Sequence, residues 1–115
     1  MSESTPHPLA PLGRLMTTLT ERAASRPAGS YTTKLLEGGP GKIGDKIREE
    51  AEELIEAAGE EGEEGRDHAI YEAGDLIYHT LVMLAYRGIT LDEVAAELAR
   101  REGTSGLAEK ASRSK

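Results

Sequence analysis

Hydrophobic residues recur at helical spacing in several segments of this chain, and glycine or proline separates most of these segments. Side chains three and four positions apart lie on one face of a helix, so this spacing predicts amphipathic helices. Glycine, with proline soon after it, is a common way for a helix to end. The predicted helices cover about 9–22, 30–36, 41–58, 66–86 and 91–101. We therefore predict an all-α fold.

The predicted helix at 66–86 is apolar on nearly all of its surface. Such a helix is normally buried in a bundle. A chain of 115 residues cannot easily cover this helix alone. We predict a helical bundle whose four-helix core is completed by a homodimer.

Composition limits the classes of protein to consider. We expect one domain at 9–103, preceded by a disordered leader at 1–8 and followed by a C-terminal tail at 104–115. The net charge of −7 argues against a nucleic-acid-binding surface, which would need a basic face. No apolar run is long enough to span a membrane, and the first residues lack the apolar stretch of a signal peptide. We expect a cytoplasmic protein with no membrane partner.

Two acidic signatures place carboxylates where apolar side chains are expected. They are Glu49-Glu50-x-x-Glu53 and Glu72-x-x-Asp75. Glu50 and Glu53 lie on or beside the apolar face of their helix, while Glu49 points towards the opposite side. The short acidic connector at 59–65, which we interpret as a solvated loop, makes the two helices antiparallel neighbours. Four carboxylates would then face one another.

Buried carboxylates are costly unless a cation or hydrogen-bond donors compensate them. Oxygen ligands without cysteine favour Mg²⁺, with Mn²⁺ as a possible substitute. The alternative is that these acids form ordinary salt bridges on the surface. Candidate partners for those salt bridges are Lys42, Lys46, Arg48 and Arg66. His79 continues the polar stripe of Glu72 and Asp75, and we expect it to be a hydrogen-bonded supporting residue rather than a direct ligand.

The ordered set of motifs resembles the phosphoribosyl-ATP pyrophosphohydrolase family over most of the chain. The matching segments are Ser30-Tyr31-Thr32, Gly41-Lys42-Ile43, Lys46-Ile47-x-Glu49-Glu50-Ala51-x-Glu53, Glu72-Ala73-x-Asp75-Leu76-x-Tyr78-His79, and Arg101-x-Gly103-x-Ser105-Gly106 with Glu109-Lys110-Ala111. That family belongs to the all-α, MazG-like nucleoside triphosphate pyrophosphohydrolases, which bind magnesium through such acids. The resemblance implies Glu50, Glu53, Glu72 and Asp75 as metal ligands, and Glu49 as an adjacent catalytic candidate that orients water or holds a further ion. Gly74 stands where alanine would be expected.

The implied reaction is Mg²⁺-dependent hydrolysis of phosphoribosyl-ATP to phosphoribosyl-AMP and pyrophosphate, the second step of histidine biosynthesis. Lys42 and Lys46 are candidate phosphate contacts, although both are equally well explained as solvated helix residues. Tyr31 could contact the substrate or serve only in packing. The resemblance alone adds Arg101, Ser105 and Lys110 as substrate-binding candidates. Two alternatives stay open, which are a MazG-like house-cleaning enzyme for other nucleoside triphosphates and a non-catalytic helical dimerisation module.

Overall fold

The computed structural model describes residues 7–103, 106 and 110–111, and this part of the chain contains helices and no strand. The helices are α1 (Ala10–Ser25), α2 (Tyr31–Ala58), α3 (Gly62–Arg87) and α4 (Leu91–Arg101). The prediction of an all-α fold is confirmed. The predicted disorder at 1–8 falls mostly on residues outside the described part, as does most of the predicted tail.

A kink at Gly39 divides α2 into a short first segment and a long second segment. Gly39 has φ 72° and ψ −170°, a conformation that is open in practice only to glycine. Pro40 follows and suits the first turn of the second segment, because it needs no amide donor there. We predicted two helices separated at 38–40, and the non-helical backbone of Gly39 confirms the break, although the second helical segment follows it at once without a loop.

The hydrophobic core lies among α1, the first half of α2 and the C-terminal half of α3. Its buried members are Met16, Leu19, Leu35, Leu36, Ile43, Leu81, Val82 and Ala85. Ile47, Tyr78 and Leu91 are among the partly buried residues that pack against it. The aliphatic composition of this core follows from a sequence without phenylalanine or tryptophan.

Helices α2 and α3 form the most extensive contact and are joined by residues 59–61. Gly65 is buried, and a side chain there would collide with the carbonyl of Glu60, so glycine is needed for this tight hairpin. The predicted start of α3 at residue 66 was wrong, because the helix begins at Gly62. Glu63 and Glu64 occupy its first turn, where carboxylates interact favourably with the helix dipole.

Helix α4 is held mainly by local interactions. The predicted capping box is confirmed: Thr90 Oγ1 accepts from Glu93 N, and Thr90 N donates to Glu93 Oε2 at 2.8 Å. Hydrogen bonds from Arg100 and Arg101 lower the pKa of Glu97 to about 2. No residue of α4 is buried in the monomer. None of the helices in the described part is long and apolar enough to cross a membrane.

Candidate active site

Three carboxylates from α2 and α3 converge at the centre of the hairpin. One oxygen from each of Glu50, Glu53 and Glu72 can be chosen so that all lie within 4.8 Å of one another. Glu50 and Glu72 are only 8% and 6% exposed, whereas Glu53 is more exposed to solvent. We call these three residues the carboxylate cage. Oε1 of Glu72 is buried and accepts no hydrogen bond from the described residues, while Oε1 of Glu50 is buried against Nδ1 of His79. A buried carboxylate oxygen without a donor is costly in an apo protein and suits a cation.

The cage is a centre of like-charge repulsion. Repulsion from the Glu72 carboxylate, together with burial and the charges of Glu49 and Glu50, raises the pKa of Glu53. Opposite charge nearby would have the reverse effect. The hairpin therefore concentrates negative charge instead of neutralising it, and this arrangement is what a hard cation needs.

The alternative interpretation, ordinary salt bridges, does not describe the buried cage acids. Lys46 Nζ lies 3.7 Å from Glu49, and Arg48 pairs with Asp45 at 3.1 Å. Both pairs lie outside the cage. Among the ion pairs of the described residues, the partners of Glu50 and Glu72 are histidines. In the described part of the chain, the ion pairs of Glu50 and Glu72 therefore do not involve the lysines and arginines that we predicted as partners.

His79 connects the cage to the first segment of α2. Its ring is 5% exposed, and its Nδ1 donates to the backbone carbonyl of Asp75 at 3.0 Å. Since a carbonyl can only accept, Nδ1 carries the proton. Nε2 lies 3.0 Å from the hydroxyl of Tyr31, and Nδ1 lies 2.5 Å from Oε1 of Glu50. The prediction that His79 is hydrogen-bonded and supports the site agrees with these contacts.

The kink at Gly39 makes these contacts possible. Tyr31 and Glu50 are both in α2, and a straight helix would separate their backbones by about 28 Å. In the kinked helix both side chains reach the same imidazole ring. The sequence indicated the break at Gly39 but not that it folds the first segment back against the site.

Each residue of the Ser30-Tyr31-Thr32 segment makes a contact that fixes the start of α2. Ser30 accepts from the amide of Thr33 and caps α2. Thr32 Oγ1 is hydrogen-bonded to the hydroxyl of Tyr78 at 2.7 Å. The rings of Tyr31 and Tyr78 have centroids 6.5 Å apart and nearly parallel planes. The segment thus docks the start of α2 onto α3 beside the cage.

Sequence reasoning missed His68 and Glu60. His68 Nε2 lies 3.3 Å from Oε2 of Glu72, and its Nδ1 lies 3.2 Å from Oε1 of Glu60. Hydrogen bonds to Glu60 and then to Glu72 raise the pKa of His68. The spacing of four residues between His68 and Glu72 was a usable signal. Glu60 was interpreted as part of a solvated loop, and only the folded hairpin brings it to His68.

Comparison with known proteins identifies the family of this chain. Proteins described as phosphoribosyl-ATP pyrophosphohydrolase form a family that matches residues 12–102. The chain belongs to this family. It is 76% identical over 108 residues to phosphoribosyl-ATP pyrophosphatase of Rhodopirellula baltica, covering 94% of this chain and 90% of that protein. The protein of the same name from Rhodobacter capsulatus is 50% identical over 102 residues, which are 89% of this chain and 96% of the relative.

A longer relative also matches. The histidine biosynthesis bifunctional protein HisIE of Wolinella succinogenes is 49% identical over 100 residues, which are 87% of this chain and 42% of that protein. The chain therefore corresponds to one portion of this bifunctional relative and to nearly the whole length of the other two.

Asp75 and Glu49, the other acids of the family's two motifs, lie beside the cage acids in sequence. Asp75 is half-buried and supplies the carbonyl that accepts from His79, but its carboxylate is not one of the three that converge within 4.8 Å. Glu49 is exposed and pairs with Lys46. The roles of Asp75 as a ligand and of Glu49 as a catalytic residue stay predictions.

The substrate-binding candidates occupy different parts of the molecule. Tyr31 and Lys42 are exposed, and Lys46 is partly exposed on the second segment of α2. The methylene chain of Lys42 lies over Gly38, where a side chain would collide with it. Arg101 donates to Glu97 within α4 at 3.0 Å. Lys110 is exposed, and Ser105 lies outside the described residues.

Proposed function

We propose that the carboxylate cage binds magnesium and that this ion supports the reaction of the family in the present chain. The chain is a phosphoribosyl-ATP pyrophosphohydrolase of histidine biosynthesis. It hydrolyses phosphoribosyl-ATP to phosphoribosyl-AMP and pyrophosphate. Because the chain matches this family, we prefer its reaction to the alternative that the sequence had left open, a MazG-like house-cleaning enzyme for other nucleoside triphosphates.

The observation that carries the magnesium proposal is the convergence of three carboxylates within 4.8 Å, with Oε1 of Glu72 buried and accepting no hydrogen bond from the described residues. A non-catalytic dimerisation module would gain nothing from keeping these acids together. The cage offers oxygen ligands, and Mg²⁺ and Mn²⁺ prefer such ligands over those that hold zinc in cysteine-rich sites. Manganese is expected to substitute. When bound, the ion would neutralise triphosphate charge and lower the pKa of a bound water.

The protein's own residues position the reactants. Glu50, Glu53 and Glu72 would hold the ion, with Asp75 as the fourth proposed ligand. Glu49 is exposed next to the cage and is proposed to orient the attacking water. A positioned carboxylate can accept a proton from water, provided that it lies within hydrogen-bond reach in the substrate complex.

The phosphate contacts are proposed for Lys42 and Lys46. Both lie on the α2 segment that carries Glu50 and Glu53, and their ammonium groups suit a polyanion in an acidic protein. Arg101, Ser105 and Lys110 are proposed as further contacts on the family resemblance.

The direct test is pyrophosphate release from phosphoribosyl-ATP and a panel of nucleoside triphosphates, with and without Mg²⁺. We expect turnover of phosphoribosyl-ATP that falls at least about a hundredfold when the ion is chelated. Glu72→Gln should abolish turnover, while Glu64→Gln, an exposed acid in the first turn of the same helix, should not. A preference for dUTP or deoxynucleotides would contradict the substrate, and turnover unaffected by chelation would contradict the cation.

A homodimer is the second part of the proposal. The described part of the chain leaves large hydrophobic side chains on its surface, which a second copy could cover. Helix α3 contributes two exposed isoleucines, Ile70 at 57% and Ile77 at 42%.

An apolar groove of about 380 Å³ lies among α1, α3 and α4 and offers a place for the second copy. Its lining is Leu12, Leu76, Ile77, Thr80, Leu81, Leu84, Leu91 and Val94. Sedimentation at micromolar concentration should give a dimer, and Ile77→Glu should shift it towards monomer. Ile55→Glu, a change at an exposed isoleucine outside the groove, is the matched control. A wild-type protein that sediments as a stable monomer would overturn the dimer proposal.

A further inference from the structure

We propose that Lys42 binds the second phosphate of phosphoribosyl-ATP, the one on its phosphoribosyl group, and thereby distinguishes this substrate from ATP. Lys46, one turn further along α2, is left to serve the triphosphate. This assignment rests on the proposed function and divides the two candidate lysines between the two ends of the substrate.

The substrate has two separate anionic ends. Phosphoribosyl-ATP is ATP with an added ribose that bears its own phosphate, so two riboses and the adenine base separate that phosphate from the triphosphate. The triphosphate belongs at the carboxylate cage, where the proposed ion would neutralise its charge. A residue that recognises the second phosphate must therefore lie well away from the cage and on the same side of the molecule.

Lys42 meets both conditions through its position in the second segment of α2. Residues 42, 46 and 53 are four and seven positions apart, a spacing that places them on one face of a helix. That face carries Glu53 of the cage. Eight residues separate Lys42 from Glu50, which corresponds to a rise of about 12 Å along the helix. Lys42 thus shares the face of the cage but lies about two turns from it.

The two lysine side chains extend in opposite directions. Nζ of Lys46 lies 3.7 Å from Oε1 of Glu49, so this side chain bends towards the cage. The stem of Lys42 instead lies over Gly38. Its Cβ and Cγ are 2.7 and 3.1 Å from the point where a side chain on Gly38 would begin, and its Cδ is closer still. Because Gly38 precedes Lys42 by four residues, the stem of Lys42 extends away from the cage. A triphosphate held at the cage is therefore beside Lys46 and not beside Lys42.

The ammonium group of Lys42 is available to a ligand. Lys42 is exposed and forms no ion pair among the described residues, since Asp45, the acid closest to it along the helix face, pairs with Arg48 at 3.1 Å. The stem is nevertheless held, because the missing side chain of Gly38 lets it rest on the backbone at the kink. A cation on a stem that is already held loses less rotamer freedom on binding, and this favours its contact with a phosphate.

The test measures hydrolysis of phosphoribosyl-ATP and its competitive inhibition by ATP, which lacks the second phosphate, both with Mg²⁺. Lys42→Met keeps an unbranched stem over Gly38 and removes the charge. A charge-assisted contact changes an equilibrium by about tenfold or more, so the KM for phosphoribosyl-ATP should rise about tenfold in this variant. The second phosphate takes no part in bond breaking, so kcat and the inhibition constant of ATP should both stay within about twofold of wild type.

Lys34→Met is the matched control, because it removes the same charge from an exposed lysine in the first segment of α2. It should leave the KM, kcat and the inhibition constant as in wild type. The assignment of Lys42 would be overturned by an unchanged KM in Lys42→Met, by an equal rise of KM in Lys34→Met, or by an equal weakening of ATP and phosphoribosyl-ATP. Failure of ATP to compete in the wild-type protein would also overturn it. A wild-type protein that does not hydrolyse phosphoribosyl-ATP would instead overturn the proposed function.

Discussion

Replacing Glu50 with glutamine tests whether the cage is shaped for a cation at the expense of apo stability. The side chain keeps its size and loses its charge. Oxygens of Glu50 and Glu72 lie within 4.8 Å of each other, and both residues are buried. At this distance two unit charges repel by about 0.9 kcal/mol in water and about 3.5 kcal/mol at an effective dielectric constant of 20.

We therefore expect Glu50→Gln to stabilise the metal-free protein by about 1–3 kcal/mol. For a domain of this size that is an increase of about 4–12 °C in unfolding temperature. Wild-type protein at a Mg²⁺ concentration of about 100 times Kd should gain about 2.7 kcal/mol, whereas the variant should gain nothing. The difference in unfolding temperature between Glu50→Gln and wild type should thus disappear or change sign when magnesium is added.

Differential scanning calorimetry with EDTA and with a Mg²⁺ series measures both quantities. Glu52→Gln is the matched control, because it removes the same charge from an exposed position two residues away. It should change the unfolding temperature by no more than about 2 °C and keep the magnesium response. If Glu50→Gln lowers the stability of the metal-free protein and retains the full magnesium response, the repulsion argument and the ligand assignment are both refuted.

The remaining predictions concern the scaffold, and thermal unfolding measures each of them. Gly65→Ala should destabilise the protein by more than about 1 kcal/mol, because its side chain collides with the connector, whereas Gly74→Ala in the same helix should stabilise it by about 0.5–1 kcal/mol. Equal effects of the two changes would contradict this. Thr90→Ala should cost about 1 kcal/mol through the lost capping box, and an unchanged unfolding temperature would show that α4 does not depend on it. Glu97 has a folded pKa of about 2 against an ordinary value of 4.5, so its stabilising effect is complete above about pH 5 and is lost as the pH falls towards 2. The difference in unfolding temperature between wild type and Glu97→Gln should narrow over that range, and a constant difference would refute the assignment.

Local signals in the sequence were sufficient for most of the helices. The capping box of Thr90 and Glu93 gave the start of α4, and Gly88 gave the end of α3, where it adopts the left-handed conformation. These signals work because each involves residues within one turn of the others. We misplaced the start of α3 because an acidic run such as the one before residue 66 fits two structures. Carboxylates are favourable in a solvated loop, and they are also favourable in the first turn of a helix, where they interact with the helix dipole.

The burial of α3 was a different kind of prediction. Its apolar surface predicted a fully buried helix, yet Ile70 and Ile77 are exposed in the single chain. A hydrophobic pattern specifies that a surface must be covered, but it does not specify by which chain. The homodimer proposal follows from that difference.

The sequence by itself determined the helical architecture, the family and the carboxylates that form the cage, because helical periodicity places Glu50, Glu53 and Glu72 on faces that meet in an antiparallel hairpin. Only the tertiary structure decided what surrounds them. The Gly39 kink brings Tyr31 to His79, and the hairpin brings Glu60 to His68. These contacts depend on the direction of a bend and on the rotation of side chains. Neither is encoded in spacing along a helix, so both appear only when the whole chain is folded.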